Sequence, residues 1–398
     1  MSGSSISSPR HPRPRAQSNP PSSADLRIDY TDPHTDEEPD VPNNAPDHAI
    51  SLPGGERGGR IAAVLADRYG LRSCALTYLP IGQGTINFRA VRHDGREVFV
   101  KNYPPGTDLA AERAGIGLSM RALRAGIPAA PVLPNTDGEV LDSSTDLPVS
   151  VWQWMPGQVA LRMSPAQLGA AGTELGRIHA LFAELPATST RAVEQWRTVD
   201  VDGLAVTIDH LLDIIAARIR DGAADAFDLQ AQRTLRDRHD VLNSIPALLA
   251  ELPDNLTVQV LHGDFSPVNL LFTGEALSAV LDFRPPDPPF LLAYDLGRVA
   301  FYPNTVATDP AWPQAAAALI SAYRQANPDV PDLDIRACGR VALLQLLTSL
   351  YGVRQHYLKP GLFQDDLDEF WLLRQRTASV LLSDLAITDA LLSDVTSR

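Results

Sequence analysis

Leu261-His262-Gly263-Asp264-Phe265-Ser266-Pro267-Val268-Asn269 is the stretch of this 398-residue chain from which its fold can be read. It sets a carboxylate and an amide five residues apart in a short loop. Two short apolar runs follow, at 270–272 and 279–283, around Thr273-Gly274, and predict a β-hairpin. The hairpin returns Asp282, thirteen residues after Asn269, to the side of the loop. Asn269 and Asp282 then offer oxygens to one Mg2+, a hard cation that prefers them. Phosphoryl transfer asks for this set: charge neutralisation, a bridging metal, and a carboxylate that orients a hydroxyl and accepts its proton. Asp264 is the candidate for that carboxylate.

The chain around this loop divides by composition. Residues 1–52 are rich in proline, serine and acidic residues, with nine prolines in the first fifty, and predict a disordered tail. Residues 58–70 read as a short helix. Strand patterns follow at 74–80, 86–93 and 97–103, the last two joined by Asp94-Gly95, a strong hairpin signal. Asp108 is placed to cap a helix running through Arg124. Residues 132–134 and 139–141 predict a further hairpin, and 149–154 one more strand before Pro156-Gly157. Beyond this the pattern is helical: Ser164-Pro165 opens a helix to about residue 184, and others are expected over 206–220, 228–251, 312–326, 335–357 and 366–387. The expected fold class is α+β, with two lobes: a smaller one over 53–155, built on a small antiparallel sheet with one long helix, and a larger helical lobe over 156–398.

The formal charge is −14, which argues against a nucleic-acid partner, since phosphate backbones are held by clustered Lys and Arg. No apolar run is long enough to span a bilayer, so no membrane partner is expected. The two cysteines, Cys74 and Cys338, match no metal-ligand spacing and fit a reducing, cytoplasmic setting.

His-Gly-Asp-x-x-x-x-Asn followed by a hairpin and Asp282-Phe283 resembles the aminoglycoside phosphotransferase and choline kinase-like superfamily, which has a protein-kinase-like fold and includes homoserine kinases of the second type. The resemblance covers roughly residues 58–360. It implies an ATP- or GTP-dependent transfer to a hydroxyl of a small molecule, with Mg2+. It makes Gly82-Gln83-Gly84-Thr85 the loop over the donor phosphates and Lys101, one of just two lysines, a phosphate contact. Glu112 becomes the ion-pair partner of Lys101. The backbone of Gln153 and Met155 becomes the purine contact in a hinge, Val151-Trp-Gln-Trp-Met-Pro-Gly157. His179 is implied to be structural, and Asp295 to brace the catalytic loop. Two departures stand out: Ser266-Pro-Val-Asn269 where the family often has His-Pro-Gly-Asn, and Asp-Phe-Arg284 where Asp-Phe-Gly is common. Arg284 is thereby placed to meet phosphate or an acidic acceptor.

The acceptor is less legible. Asp365, Asp366, Asp368 and Glu369 suit an amino sugar, and an antibiotic or related natural product (resistance or self-protection) leads. A metabolite kinase of the homoserine or choline type follows, because Gly84-Thr-Ile-Asn-Phe88 and residues 128–138 resemble the former. A kinase-like binding protein without turnover is the third reading. Oligomeric state has no signature in the sequence.

Overall fold

The computed structural model describes residues 56–187, 189–361 and 363–397; the expected tail over 1–52 lies outside the described residues. The first lobe is a five-stranded sheet in the order β1-β2-β3-β5-β4. Helix α1 (Glu56–Tyr69) precedes β1 (Ala75–Leu79), β2 (Ile86–Val91) and β3 (Glu97–Asn102). Then come α2 (Leu109–Arg124), β4 (Val132–Leu133) and β5 (Val149–Gln153). The alternating strands send Phe88, Val98, Val100, Val149 and Val151 to one side, where Ile61 and Leu65 of α1 close a small core. Helix α2 starts at Asp108, whose carboxylate accepts the N–H groups of Ala110 and Ala111.

Residues 139–141 do not form the expected strand. Asn135 Oδ1 accepts the N–H groups of Asp137 and Glu139 and folds the segment into a tight turn, while β4 pairs instead with β5.

After β6 (Gln158–Val159), the second lobe opens on α3 (Pro165–Phe182), started by a Ser164/Gln167 capping box. Helices α4 (Arg191–Arg197), α5 (Val201–Arg220), α6 (Ala226–Val241) and α7 (Ile245–Ala250) follow. Then come β7 (Val258–Gln259), β8 (Leu270–Thr273), β9 (Ala276–Val280) and β10 (Phe290–Leu291). The chain finishes with α8 (Leu292–Ala300), α9 (Pro303–Thr308), α10 (Trp312–Ala326), α11 (Asp332–Thr348), α12 (Val353–Leu358), α13 (Gln364–Ser383) and α14 (Leu385–Ser397).

Three expected helices are broken. The 228–251 stretch passes through a 3-10 turn at Leu242–Ser244, with Pro246 in the first turn of the next helix. The 335–357 stretch ends at Thr348 because the chain reverses at Gly352, with φ +93°. The third, 366–387, divides at Asp384. The predicted hairpin is present as β8–β9, joined by β6 into a three-stranded sheet, and β7 pairs with β10. Helix α3 crosses α10 so closely that a Cβ on Gly172 would lie 2.1 Å from the Leu319 carbonyl oxygen.

Candidate active site

Two loops fastened to each other position the site. The first runs from β7 through Asp264 to Asn269, and the second leaves β9 at Asp282. The Leu281 N–H donates to the Asn269 carbonyl (2.9 Å), and the Arg284 N–H to the His262 carbonyl (2.7 Å). The buried His262 ring sits between them. Its Nδ1 accepts the Asp264 N–H (3.2 Å), which leaves Nε2–H to donate to the Leu281 carbonyl (3.0 Å). Burial lowers the His262 pKa, so the neutral ring that this pairing requires is the favoured form. Gly263 makes the contact possible: its φ is +85°, and a Cβ there would lie 1.7 Å from the Arg284 carbonyl oxygen.

Asp264 is held on both oxygens. Asn269 Nδ2 donates to Oδ2 (2.9 Å) and to the Asp264 carbonyl (2.8 Å), and Arg298 Nη2 donates to Oδ1 (2.5 Å). The amide nitrogen of Asn269 is thereby committed to Asp264. Asp282 has a left-handed backbone, φ +53°, a conformation that Asp tolerates better than most residues. Burial raises its carboxyl pKa, but the charges of Lys101 and Arg284 outweigh this and hold it below the ordinary value. A carboxylate and an amide oxygen fit Mg2+, which keeps waters and binds through one or two protein ligands plus substrate phosphates.

The loop is braced by Asp295, as the family resemblance implied. The Gly263 N–H donates to both oxygens of the buried Asp295 (3.1 Å each). Asp295 in turn accepts from His179 Nε2 (3.3 Å), and His179 Nδ1 meets the Tyr323 hydroxyl (2.9 Å).

Lys101, on β3 opposite Asn87 and Ser150, pairs with Asp282. The expected partner, Glu112, does not pair with it. Glu112 faces Arg284 across 3.9 Å instead. The reason is packing: Gly115, one turn along α2, lies against the Phe283 carbonyl, where a Cβ would come within 2.1 Å. The Asp-Phe-Arg segment thus lies under α2, and its arginine reaches Glu112 first.

The Gly82–Thr85 loop is tied down from within. Gly82 has φ +81°, Asn87 Nδ2 donates to the Ile81 carbonyl (2.7 Å), and the buried Thr85 hydroxyl donates to Asn87 Oδ1 (3.0 Å). The Thr85 hydroxyl therefore points into the loop. Gln83 reaches the other lobe, its Nε2 donating to the Phe363 carbonyl (3.2 Å). In the expected hinge, the Gln153 N–H donates to the Pro131 carbonyl (2.8 Å) and is not free for the purine contact that the resemblance implied. Of the four acidic residues weighed for the acceptor, Asp368 is buried against His356 (2.7 Å) and Gln364, while Asp365, Asp366 and Glu369 are exposed. Both cysteines are free thiols, and no described helix is long and apolar enough to cross a membrane.

Sequence reasoning missed Arg298. It stands thirty-four residues after Asp264 and reaches it only because α8 carries both Asp295 and Arg298 past the loop. Its one local signal is the spacing of three from Asp295, which puts both on one side of the helix.

Three comparisons bear on this geometry. The family described as "Phosphotransferase enzyme family" matches residues 77–335. A homoserine kinase of Parvibaculum lavamentivorans is 26% identical over 295 residues, 72% of this chain and 84% of that protein. Among solved structures, an aminoglycoside phosphotransferase from Alicyclobacillus acidocaldarius superposes with a TM-score of 0.50 at 17% identity, over 81% of this chain and 93% of that one. The AMP-bound complex of a spectinomycin phosphotransferase gives 0.53 at 13%, over 81% and 98%. At such identities the superpositions speak for the two-lobed fold alone.

Proposed function

Because the chain belongs to the phosphotransferase enzyme family, and is a small-molecule kinase with a hydroxyl acceptor, we propose that the Asp264 site carries the transfer. The observation behind this is the fastening of Asp264, Asn269 and Asp282 into one constellation by hydrogen bonds between their two loops. Asp264 orients the acceptor hydroxyl and takes up its proton as the acceptor oxygen bonds to the γ-phosphorus and the bond to the β-phosphate oxygen breaks, releasing nucleoside diphosphate. ATP or GTP is the donor. Lys101 and the backbone of the Gly82–Thr85 loop hold its phosphates, and the Gln153 carbonyl with Met155 borders the purine between the lobes, near residue 155. Asn269 Oδ1 and Asp282 would hold Mg2+, which when bound spreads the charge of the transferring group.

For the acceptor we favour a small amino-acid or amino-alcohol metabolite of the homoserine or choline type. Support comes from the likeness to a homoserine kinase over most of both chains. An antibiotic acceptor is the second reading, favoured by the exposed Asp365, Asp366 and Glu369 on the first turns of α13, next to the Phe363 contact with Gln83. Nucleoside diphosphate release from ATP or GTP with Mg2+, measured against homoserine, choline, ethanolamine and a panel of aminoglycosides and macrolides, separates the two. Release driven by homoserine or an amino alcohol supports the first reading; release driven only by an antibiotic overturns it.

A further inference from the structure

Arg284 stands where the commoner metal motif has glycine, so a guanidinium enters a space that glycine would leave open. Its backbone belongs to the loop junction: the N–H donates to the His262 carbonyl, and the carbonyl oxygen packs on Gly263. Its side chain goes the other way, across to the first lobe. A Cβ on Gly84 would lie 3.4 Å from Arg284 Nη2, so the guanidinium rests against the backbone of the glycine loop. On the same side it faces Glu112 at 3.9 Å, an ionic contact too long for a hydrogen bond. It also lies two residues from Asp282, to which Lys101 is paired. The side chain is 37% exposed, as suits a group at the wall of a cleft rather than in a core.

The glycine loop and Lys101 are assigned above to the donor phosphates and Asp282 to their metal; Arg284 rests on the loop and lies two residues from Asp282, the partner of Lys101. We propose that Arg284 binds the β- and γ-phosphates of the donor nucleotide, closing the triphosphate between the glycine loop and the metal segment. This rests on the reading of the cleft as the nucleotide site. A guanidinium suits the task because its planar fork matches phosphate oxygens in pairs, which an ammonium cannot do. The pairings around it complement this role. With Lys101 on Asp282 and Glu112 facing Arg284, each of these two cations has a carboxylate beside it.

Binding of a non-hydrolysable ATP analogue and of AMP, each with Mg2+, by the full chain and by R284A and R284K tests the proposal. Only the first nucleotide carries the phosphates at issue. The expected result is a loss of about tenfold or more in affinity for the ATP analogue in R284A. AMP affinity and melting temperature stay near those of the unmodified chain, and R284K falls between. The side chain lies outside the loop junction, so R284A retains the backbone contacts of the fold; if it nonetheless fails to fold, R284K alone must show the selective loss. Equal affinities for the ATP analogue in all three proteins, or an equal loss for both nucleotides, overturns the assignment. Failure of the unmodified chain to bind either nucleotide instead overturns the reading of the cleft, and the proposal with it.

Discussion

Replacing Gly263 by alanine tests the junction that brings the site together. The added Cβ would lie 1.7 Å from the Arg284 carbonyl oxygen, 2.7 Å from its carbon and 3.0 Å from Pro286 Cδ, at a φ of +85°. The left-handed backbone alone costs alanine about 1–2 kcal/mol. Relieving the overlap means pushing the two loops apart by more than an ångström, and overpacking of that kind costs roughly 1–3 kcal/mol. The sum is about 2–5 kcal/mol, a large part of the roughly 5–15 kcal/mol that holds a typical domain folded. At about 2–4 °C per kcal/mol, the melting temperature falls by on the order of 5–20 °C. Because Asp282 lies two residues before the displaced carbonyl, turnover by the molecules still folded falls by roughly 100-fold, the cost of about 1 Å of misplacement. Gly274→Ala is the control: its φ is +62°, but a Cβ there meets nothing within 4 Å. It carries the backbone cost and none of the overlap, and leaves turnover unchanged. Thermal melts and initial rates on both variants decide the matter; if G263A keeps wild-type turnover or melts with G274A, the loops are not joined as described.

D295N keeps the shape of the brace but loses the charge that holds the Gly263 N–H, and should lower kcat by about tenfold with little change in nucleotide KM; a selective rise in nucleotide KM would contradict this role. Gly172→Ala forces a Cβ to within 2.1 Å of the Leu319 carbonyl and should destabilise the chain by about 1–3 kcal/mol in urea titration, with the rate per folded molecule unchanged. Acid stability should report His262. Its folded pKa is lowered from the ordinary 6.5, so its contribution is full above that pH and is lost as pH falls through it. Melting temperatures of the wild type should therefore fall on acidification below about 6.5, more steeply than those of H262Q; parallel curves would remove His262 as the cause.

The parts of the site legible in the sequence are those whose geometry is local. Asp264 and Asn269 lie in one loop, and the β8–β9 hairpin fixes Asp282 from turn chemistry at Thr273-Gly274. Asp108 and Ser164 announced their helices because a cap is a short-range device. What stayed hidden depends on contacts between distant segments. The pairing of Lys101 with Asp282 spans 181 residues and follows from how α2 packs on Phe283, which no spacing encodes. Arg298 reaches Asp264 by the path of α8, and β7 and β10 are two-residue pairs too short to leave a periodic pattern. The breaks at Pro246 and Gly352 were visible as residue types, but helical periodicity on either side masked them.

The central claim is that Asp264 accepts the proton of the acceptor hydroxyl, and D264N tests it most directly. The asparagine keeps an oxygen for Asn269 and loses the basic carboxylate. With the acceptor found in the substrate panel, turnover should fall by about 100- to 10,000-fold, while affinity for the ATP analogue stays within a few-fold of wild type. Turnover by D264N close to that of the wild type would contradict the account.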